Sequence, residues 1–261
     1  MDNKCTEGTY RGRFSTLYDL FYMQKTYHQE GNFVHHCLQY YGDGSSKKIL
    51  ELGCGTGNHA FLLEQLGYSI VATDISEDMI AQATAKAVEG HSEIKFYCQD
   101  MIQLSRPDKP FDAVICLFDS ICYVIDNDDV HELFNRIHSH LRPGGLLIFE
   151  FWNAAAMIKH LDPIRIKRLQ KDDIHYLKIS EAELDIKNQL YRVDYSLFEI
   201  MPGGKTNAYY EKHINRFYQV QEMAFFLAKS GFQAEKWFAG YCDCEEITSE
   251  TWNVICVARA L

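Results

Sequence analysis

The sequence predicts an α/β protein: a parallel sheet covered on both faces, with a small antiparallel sheet inserted in it. Three observations carry this. Strand-like and helix-like segments alternate between residues 47 and 152. Gly53, Gly55 and Gly57 stand at alternate positions where the first strand turns into a helix. Between residues 175 and 218, three runs with strand-like alternation follow one another without an intervening helix.

The strands are expected at 47–53, 69–74, 94–100, 111–118 and 144–152. The segment GNHAFLLEQLG reads as a helix stopped at Gly67, because glycine adopts the left-handed geometry that ends a helix. SEDMIAQATAKAVEG starts from Ser76, three residues before Met79, and ends at Gly90. NDDVHELFNRIHSH opens at Asn127 with acids near the positive end of the helix dipole and stops before Pro143. From Asn153 to about Gln170 the chain reads as helical or irregular. HYLKISEAEL, QLYRVDYSLFEI and NAYYEKHINRFY then form three strands of a lid, the last two joined by a turn at Pro202, Gly203 and Gly204. QVQEMAFFLAKSGF is a helix closed at Gly231, and FQAEKWFAG and TWNVICVARA are two final strands.

The 261 residues, 47% hydrophobic, are enough for a large core. No stretch approaches the ~18 consecutive apolar residues of a membrane span, and the N-terminus has no signal-peptide core, so a cytoplasmic protein with no membrane partner is expected. A net charge of −10 disfavours nucleic acid and favours small or cationic ligands. The nine cysteines, Cys5, Cys37, Cys54, Cys98, Cys116, Cys122, Cys242, Cys244 and Cys256, read as reduced thiols. Their spacing lacks the paired C-x2-C of a zinc site, so no metal is expected.

In an open parallel sheet the ligand sits beyond the carboxyl ends of the strands, and the first strand-to-helix turn touches it. Glycines there let backbone N–H groups approach the ligand. The motif alone is ambiguous, since Gly55, Gly57 and Ala60 also satisfy a dinucleotide fingerprint, and the glycines could serve packing only. Asp74, ending the second strand, suits a ribose diol in either ligand reading. Glu51 is a carboxylate inside an apolar strand, which is costly unless a cation awaits it. Gln99 and Asp100 end the third strand, where an acid can accept from an exocyclic amine such as adenine's. Together these outline a nucleoside carrying an amino acid.

ELGCGTG, VATDIS, CQDM, FDAVICLF and LRPGGLLIFE, in this order and spacing, resemble the class I S-adenosylmethionine-dependent methyltransferases. The resemblance implies a Rossmann-like sheet of seven strands whose last strand, TWNVICVARA, is antiparallel. It implies S-adenosyl-L-methionine as methyl donor, S-adenosyl-L-homocysteine as product, and no metal. The loop of Gly53, Cys54, Gly55 and Gly57, with Glu51, would hold the methionine part. Asp74 would take the ribose, Gln99 and Asp100 the adenine edge, and Ile75, Met101 and Leu117 would pack on the donor.

LYDLFYMQKTYHQEGNF, LFDSICYV, EFW and the insert before QVQEM are similar to small-molecule N-methyltransferases of nucleotide-linked amino sugars, and more distantly to glycine and sarcosine N-methyltransferases. By that likeness residues 1–46 are a helical arm closing over the donor, 47–152 and 219–261 the donor-binding core, and 153–218 the substrate lid. Tyr27 would touch the donor's carboxylate end. Tyr18, Asp119 and His213 are the catalytic candidates; Tyr22, Ser120, Tyr123, Glu150 and Trp152 the acceptor-binding ones. Asp119 departs from the small residues that family commonly has there. The expected activity is N-methylation of a small amine, with O-methylation as the alternative and an NAD(P)-dependent oxidoreductase or a non-catalytic donor-binding protein further off. A homodimer through the insert's sheet is implied by the same likeness.

Overall fold

Short amphipathic segments precede the first strand in the computed structural model, which describes residues 9–44, 46–243 and 245–261. They are α1 (Gly12–Thr16), α2 (Tyr18–Phe21) and α3 (Tyr27–Tyr41). The alternating region then folds as β1 (Lys48–Leu52), α4 (Asn58–Gln65), β2 (Ser69–Asp74), α5 (Glu77–Glu89), β3 (Lys95–Cys98), β4 (Phe111–Cys116), α6 (Asn127–His140) and β5 (Leu141–Trp152). After α7 (Ala154–Lys159) come β6 (Ile164–Lys171), β7 (Ile174–Asp185), β8 (Leu190–Ile200) and β9 (Thr206–Arg216), then α8 (Val220–Lys229), β10 (Phe232–Ala239) and β11 (Asn253–Ala260).

Seven strands make one sheet in the order β10-β11-β5-β4-β1-β2-β3. β1 to β5 pair in parallel, while β11 runs antiparallel to both β5 and β10, as expected for the last strand. Both faces are covered, which is why the central strands read as nearly unbroken apolar runs. Leu50, Leu52, Val114, Leu147 and Phe149 pack under α6 and α8. Ile49, Ile70, Ile115, Ile148 and Val257 pack under α3 and α4. Each fully buried Leu or Ile contributes about 1.5–3 kcal/mol relative to exposure. Helix starts follow the capping signals: the Ser76 hydroxyl accepts from Met79 N at the head of α5, and Gln219 and Glu222 form a capping box on α8.

The inserted sheet has four strands, in the order β6-β7-β8-β9, all antiparallel. This corrects the expectation of three. IRIKRLQK was read as helical or irregular, yet it forms the edge strand β6. Almost all of its residues are exposed, so it lacks the alternation a half-buried strand displays, and its lysines and arginines are what an open sheet edge carries. The helix-to-strand boundary also moves: β5 begins at Leu141, ahead of Pro143. Cys242 is disulfide-bonded, against the expectation of reduced thiols throughout. Cys37, Cys54, Cys116, Cys122 and Cys256 are free, and Cys5 and Cys244 lie outside the described residues. Among the described residues no helix is long and apolar enough to cross a membrane.

Candidate active site

The sheet order reverses between β1 and β4, and a cavity of about 580 Å3 opens beyond their carboxyl ends. Its floor is the turn after β1. Gly53 and Gly55 have φ of +66° and +55°, the left-handed region that side chains resist. A Cβ on Gly53 would stand 2.6 Å from Ser120 Cβ and Oγ, whereas one on Gly55 would meet no atom within 4 Å. The first glycine is thus needed for packing and the second leaves open space above the loop. Gly53→Ala should destabilise the protein by about 2–5 kcal/mol, combining left-handed strain with a clash. Ser120→Gly in the same background should recover part of it; an unshifted urea midpoint for Gly53→Ala would contradict the account.

Asp74 ties this loop to the second strand. Its Oδ2 accepts from Gly55 N and its Oδ1 from Ser76 N, both at 2.8 Å. The Ile75 N–H also bonds this carboxylate, and of its about four acceptor positions at least one remains for a diol. Burial pushes its pKa up, against the pull of those N–H groups. Asp100 Oδ1 accepts from Ile102 N at 2.9 Å, and Asp100, Gln99, Met101 and Ile75 line the same end of the cavity. Ile75 is 52% exposed, an apolar face suited to a flat ring.

Beneath the loop, Glu51 is 1% exposed and its Oε2 has no partner. Burial, with Asp74 nearby, raises its pKa to about 8. Its Oε1 lies 3.9 Å from His59 Nδ1, and His59 Nε2 lies 2.7 Å from Glu30 Oε2, which also pairs with Lys25. Burial pushes the Glu30 carboxyl up, but its bonds to His59 and Lys25 outweigh that and hold it below the usual range. A buried acid without a cation, beside open space over a glycine turn, fits a ligand ammonium. The residues present therefore fit a donor with an amino-acid end, a diol and a purine.

The other end of the cavity is aromatic. Tyr10, Tyr18, Tyr22 and Tyr27 come from the arm, Tyr123 from the 3-10 turn Ser120–Tyr123, Trp152 from β5, and Tyr191 and Tyr195 from β8. Burial raises the phenol pKa values of Tyr10, Tyr18, Tyr22, Tyr123 and Tyr195, so these hydroxyls stay protonated. Asp119 is 7% exposed, its Oδ1 has no partner, and burial plus the Glu150 charge push its pKa well up. Phe118 and Asp119 have φ of +51° and +58°, two consecutive strained residues at a site edge. Glu150 maintains this geometry, accepting from Phe118 N at 2.7 Å, from the Tyr241 hydroxyl at 2.6 Å and from Asn253 Nδ2.

Sixteen of the expected site residues line this one cavity: Tyr18, Tyr22, Tyr27, Gly53, Cys54, Gly55, Asp74, Ile75, Gln99, Asp100, Met101, Leu117, Asp119, Ser120, Tyr123 and Trp152. Four do not. Gly57 packs against Phe96 as the N-cap of α4, and Glu51 lies beneath the floor. Glu150 was expected at the acceptor but stands behind the Phe118–Asp119 turn. His213 was expected at the reaction centre but backs onto Tyr123. Sequence reasoning missed Tyr10, His59, Arg165, Asn215 and Trp252, which also line the cavity. It missed Asp19 as well, which docks the arm on Thr56 Oγ1 (2.7 Å), Asn58 Nδ2 (3.0 Å) and Lys86 Nζ (2.6 Å). Only His59, adjacent to the glycine turn, carried a local signal.

Residues 49–145 match a family model described as a methyltransferase domain. A methyltransferase-named protein of Geobacillus sp. (strain WCH70) is 30% identical over 240 residues, spanning 91% of this chain and 94% of its own. The crystal structure of a S-adenosylmethionine-dependent methyltransferase from Clostridium acetobutylicum ATCC 824 superposes with a TM-score of 0.79 at 21% identity, covering 95% of this chain and 98% of that one. CalS10, an amino pentose methyltransferase from Micromonospora echinaspora solved with its donor bound, gives 0.76 at 17% identity, over 98% and 99% of the two chains. At those identities the two structures speak for the fold alone.

Proposed function

Because the chain belongs to the S-adenosylmethionine-dependent methyltransferases, we propose that it methylates the nitrogen of a small-molecule amine, with Asp119 receiving that nitrogen. The observation that carries the reading is the buried, unpartnered Asp119 Oδ1 in a cavity walled by tyrosines and Trp152. Trp152 bonds the Asp119 carboxyl and Lys25 acts on it from a distance, but the free Oδ1 is costly to bury, and an ammonium would supply both charge and hydrogen bond there. The faces of the surrounding rings favour the same cation. CalS10, which shares the fold, is named for an amino pentose.

The donor, when bound, supplies a methyl already activated on sulfonium, which leaves behind a neutral thioether. The chain's own task is therefore to bind, orient and exclude water. Asp74 and Asp100 hold the nucleoside end, and the Gly53–Gly57 turn with Glu51 the amino-acid end. The arm, fastened through Asp19 to the head of α4 and through the Ser76 hydroxyl, which donates to Tyr10 O at 2.8 Å, closes the cavity. Glu150 orients the Phe118–Asp119 turn. A hydroxyl acceptor is the second reading, favoured by the buried imidazole behind Tyr123.

The test offers isotopically labelled S-adenosylmethionine with nucleotide-linked amino sugars, simple amines, alcohols and phenols, and locates the label by mass spectrometry. A label on nitrogen is expected; one on oxygen would replace this reading by the second. Asp119→Asn keeps a residue tolerant of the left-handed backbone but loses the charge. It should raise the acceptor KM about 10- to 100-fold, the scale of one charge-assisted hydrogen bond, and leave S-adenosylhomocysteine affinity unchanged. An unaltered KM would remove Asp119 from the acceptor site.

A further inference from the structure

We propose that Tyr123, His213 and Glu211 form a proton exit from the acceptor cavity, a proposal that rests on the amine reading above. Tyr123 lines the cavity, and its hydroxyl lies 2.8 Å from His213 Nδ1. The other ring nitrogen, Nε2, lies 2.8 Å from Glu211 Oε2. Tyr123 is part-exposed to the cavity, the His213 side chain is 1% exposed and that of Glu211 is 10%. Arg11 N donates to Glu211 Oε1 at 3.0 Å, which leaves Oε2 to the imidazole. The chain of three runs from the cavity wall, through a ring sealed from water, to a carboxylate at the lid's edge.

An acceptor amine arrives largely as ammonium and must lose a proton before its lone pair can attack carbon. The cavity that excludes water for methyl transfer also withholds water as the base. A buried phenol is a poor standing base, since burial pushes its pKa up. It can still relay a proton by giving up its own as it takes another. A hydroxyl bonded to an imidazole that a carboxylate orients is the arrangement proteins use to move a proton off a reacting group.

The ammonium N–H breaks and its proton goes to Tyr123 Oη, while the Tyr123 proton passes to His213 Nδ1. The His213 Nε2 proton passes to Glu211 Oε2 and then to solvent, and the electron pair of the broken N–H stays on nitrogen. No redox partner is involved.

The surroundings hold the imidazole in place. Tyr10 and Tyr195 meet its ring edge-on at 4.8 and 4.9 Å. The titratable groups facing the relay are Tyr10 from the arm, whose hydroxyl also bonds that of Tyr123, Tyr22 from the arm beside Tyr123, Tyr195 from β8, and Lys178 from β7, whose charge interacts with Glu211. Asn215 on β9 bonds the Tyr123 hydroxyl. His213 and Glu211 are thus positioning residues, and Tyr123 is the group that touches the acceptor.

The relay requires the His213 tautomer with Nε2 protonated toward Glu211 and Nδ1 bare toward Tyr123. 15N-histidine NMR of the full chain saturated with S-adenosylhomocysteine reads this without any acceptor, His213→Gln identifying the signal. A proton on Nδ1 would overturn the proposal. In kinetics with a nucleotide-linked amino sugar as probe, Glu211→Gln and Tyr123→Phe should lower kcat at least tenfold at pH 7. The deficit should shrink toward pH 9, where more of the probe arrives as free amine, with KM little changed. Glu211→Asp should restore much of the loss. A deficit confined to KM, or equal at both pH values, means packing and overturns the relay. If wild type does not methylate the probe, it is the amine reading that is damaged, and the tautomer still decides for or against the relay.

Discussion

Glu51→Gln is expected to make the donor-free protein more stable at neutral pH and to weaken its hold on the donor. The unfolded carboxyl ionises near 4.5, and burial raises the folded value to about 8. The folded state therefore binds the extra proton. Stability tied to this group is full below 4.5 and is lost as pH rises toward about 8. At pH 7 the loss is about 3 kcal/mol, at about 1.4 kcal/mol per unit. A glutamine of similar shape has no proton to lose. Its melting temperature should exceed that of wild type at pH 7.5 and converge with it near pH 4.5.

The opposite holds for binding. The donor's ammonium should draw the proton off Glu51, so S-adenosylhomocysteine binding near pH 7 should release a substantial fraction of one proton. Titration calorimetry in buffers of different ionisation heat measures that release. In Glu51→Gln the release should vanish and affinity should fall about 10- to 100-fold, as for a lost bond to a charged group. Equal proton release in both proteins would remove Glu51 from the donor site. A residue whose replacement raises stability and lowers function is what a buried site carboxylate predicts.

Asp74→Ala is expected to cost more in donor affinity than any other single truncation in the cavity. Two effects combine: the ribose loses its acceptor, and Gly55 N and Ser76 N lose the carboxylate that ties the glycine turn to β2. Each charge-assisted bond is worth about 1.5–3 kcal/mol, so S-adenosylhomocysteine should bind at least 100-fold more weakly. Asp74→Asn keeps one acceptor oxygen and should fall between. Unchanged affinity in Asp74→Ala by calorimetry would discredit the ribose assignment.

The residues expected to hold the donor share one cavity because they cluster at strand ends: Gly53 and Gly55 after β1, Asp74 after β2, Asp100 after β3. Each position is fixed by local chain direction once the strand is recognised. The acceptor half was not readable in the same way. Tyr10, Arg165, Tyr191 and Asn215 come from the arm, β6, β8 and β9, which meet only when the insert folds back over the sheet. Glu150 stands at the mouth of the fifth strand and His213 within a lid strand, but which side of the cavity wall they occupy depends on the packing of elements far apart in the chain. β6 escaped notice because an exposed edge strand is under little pressure to alternate.

From sequence alone came the alternating elements, the antiparallel last strand and the glycine turn after the first strand, because periodicity, capping and glycine placement act over a few residues. The tertiary structure decided that Glu51 Oε2 lacks a partner, that Glu150 supports the strained Phe118–Asp119 turn, and that His213 joins Tyr123 to Glu211. Burial and hydrogen-bond partnership belong to pairs of residues about one or two hundred positions apart, as Glu150 with Asn253 and Arg11 with Glu211 illustrate. No local pattern encodes which of them will meet.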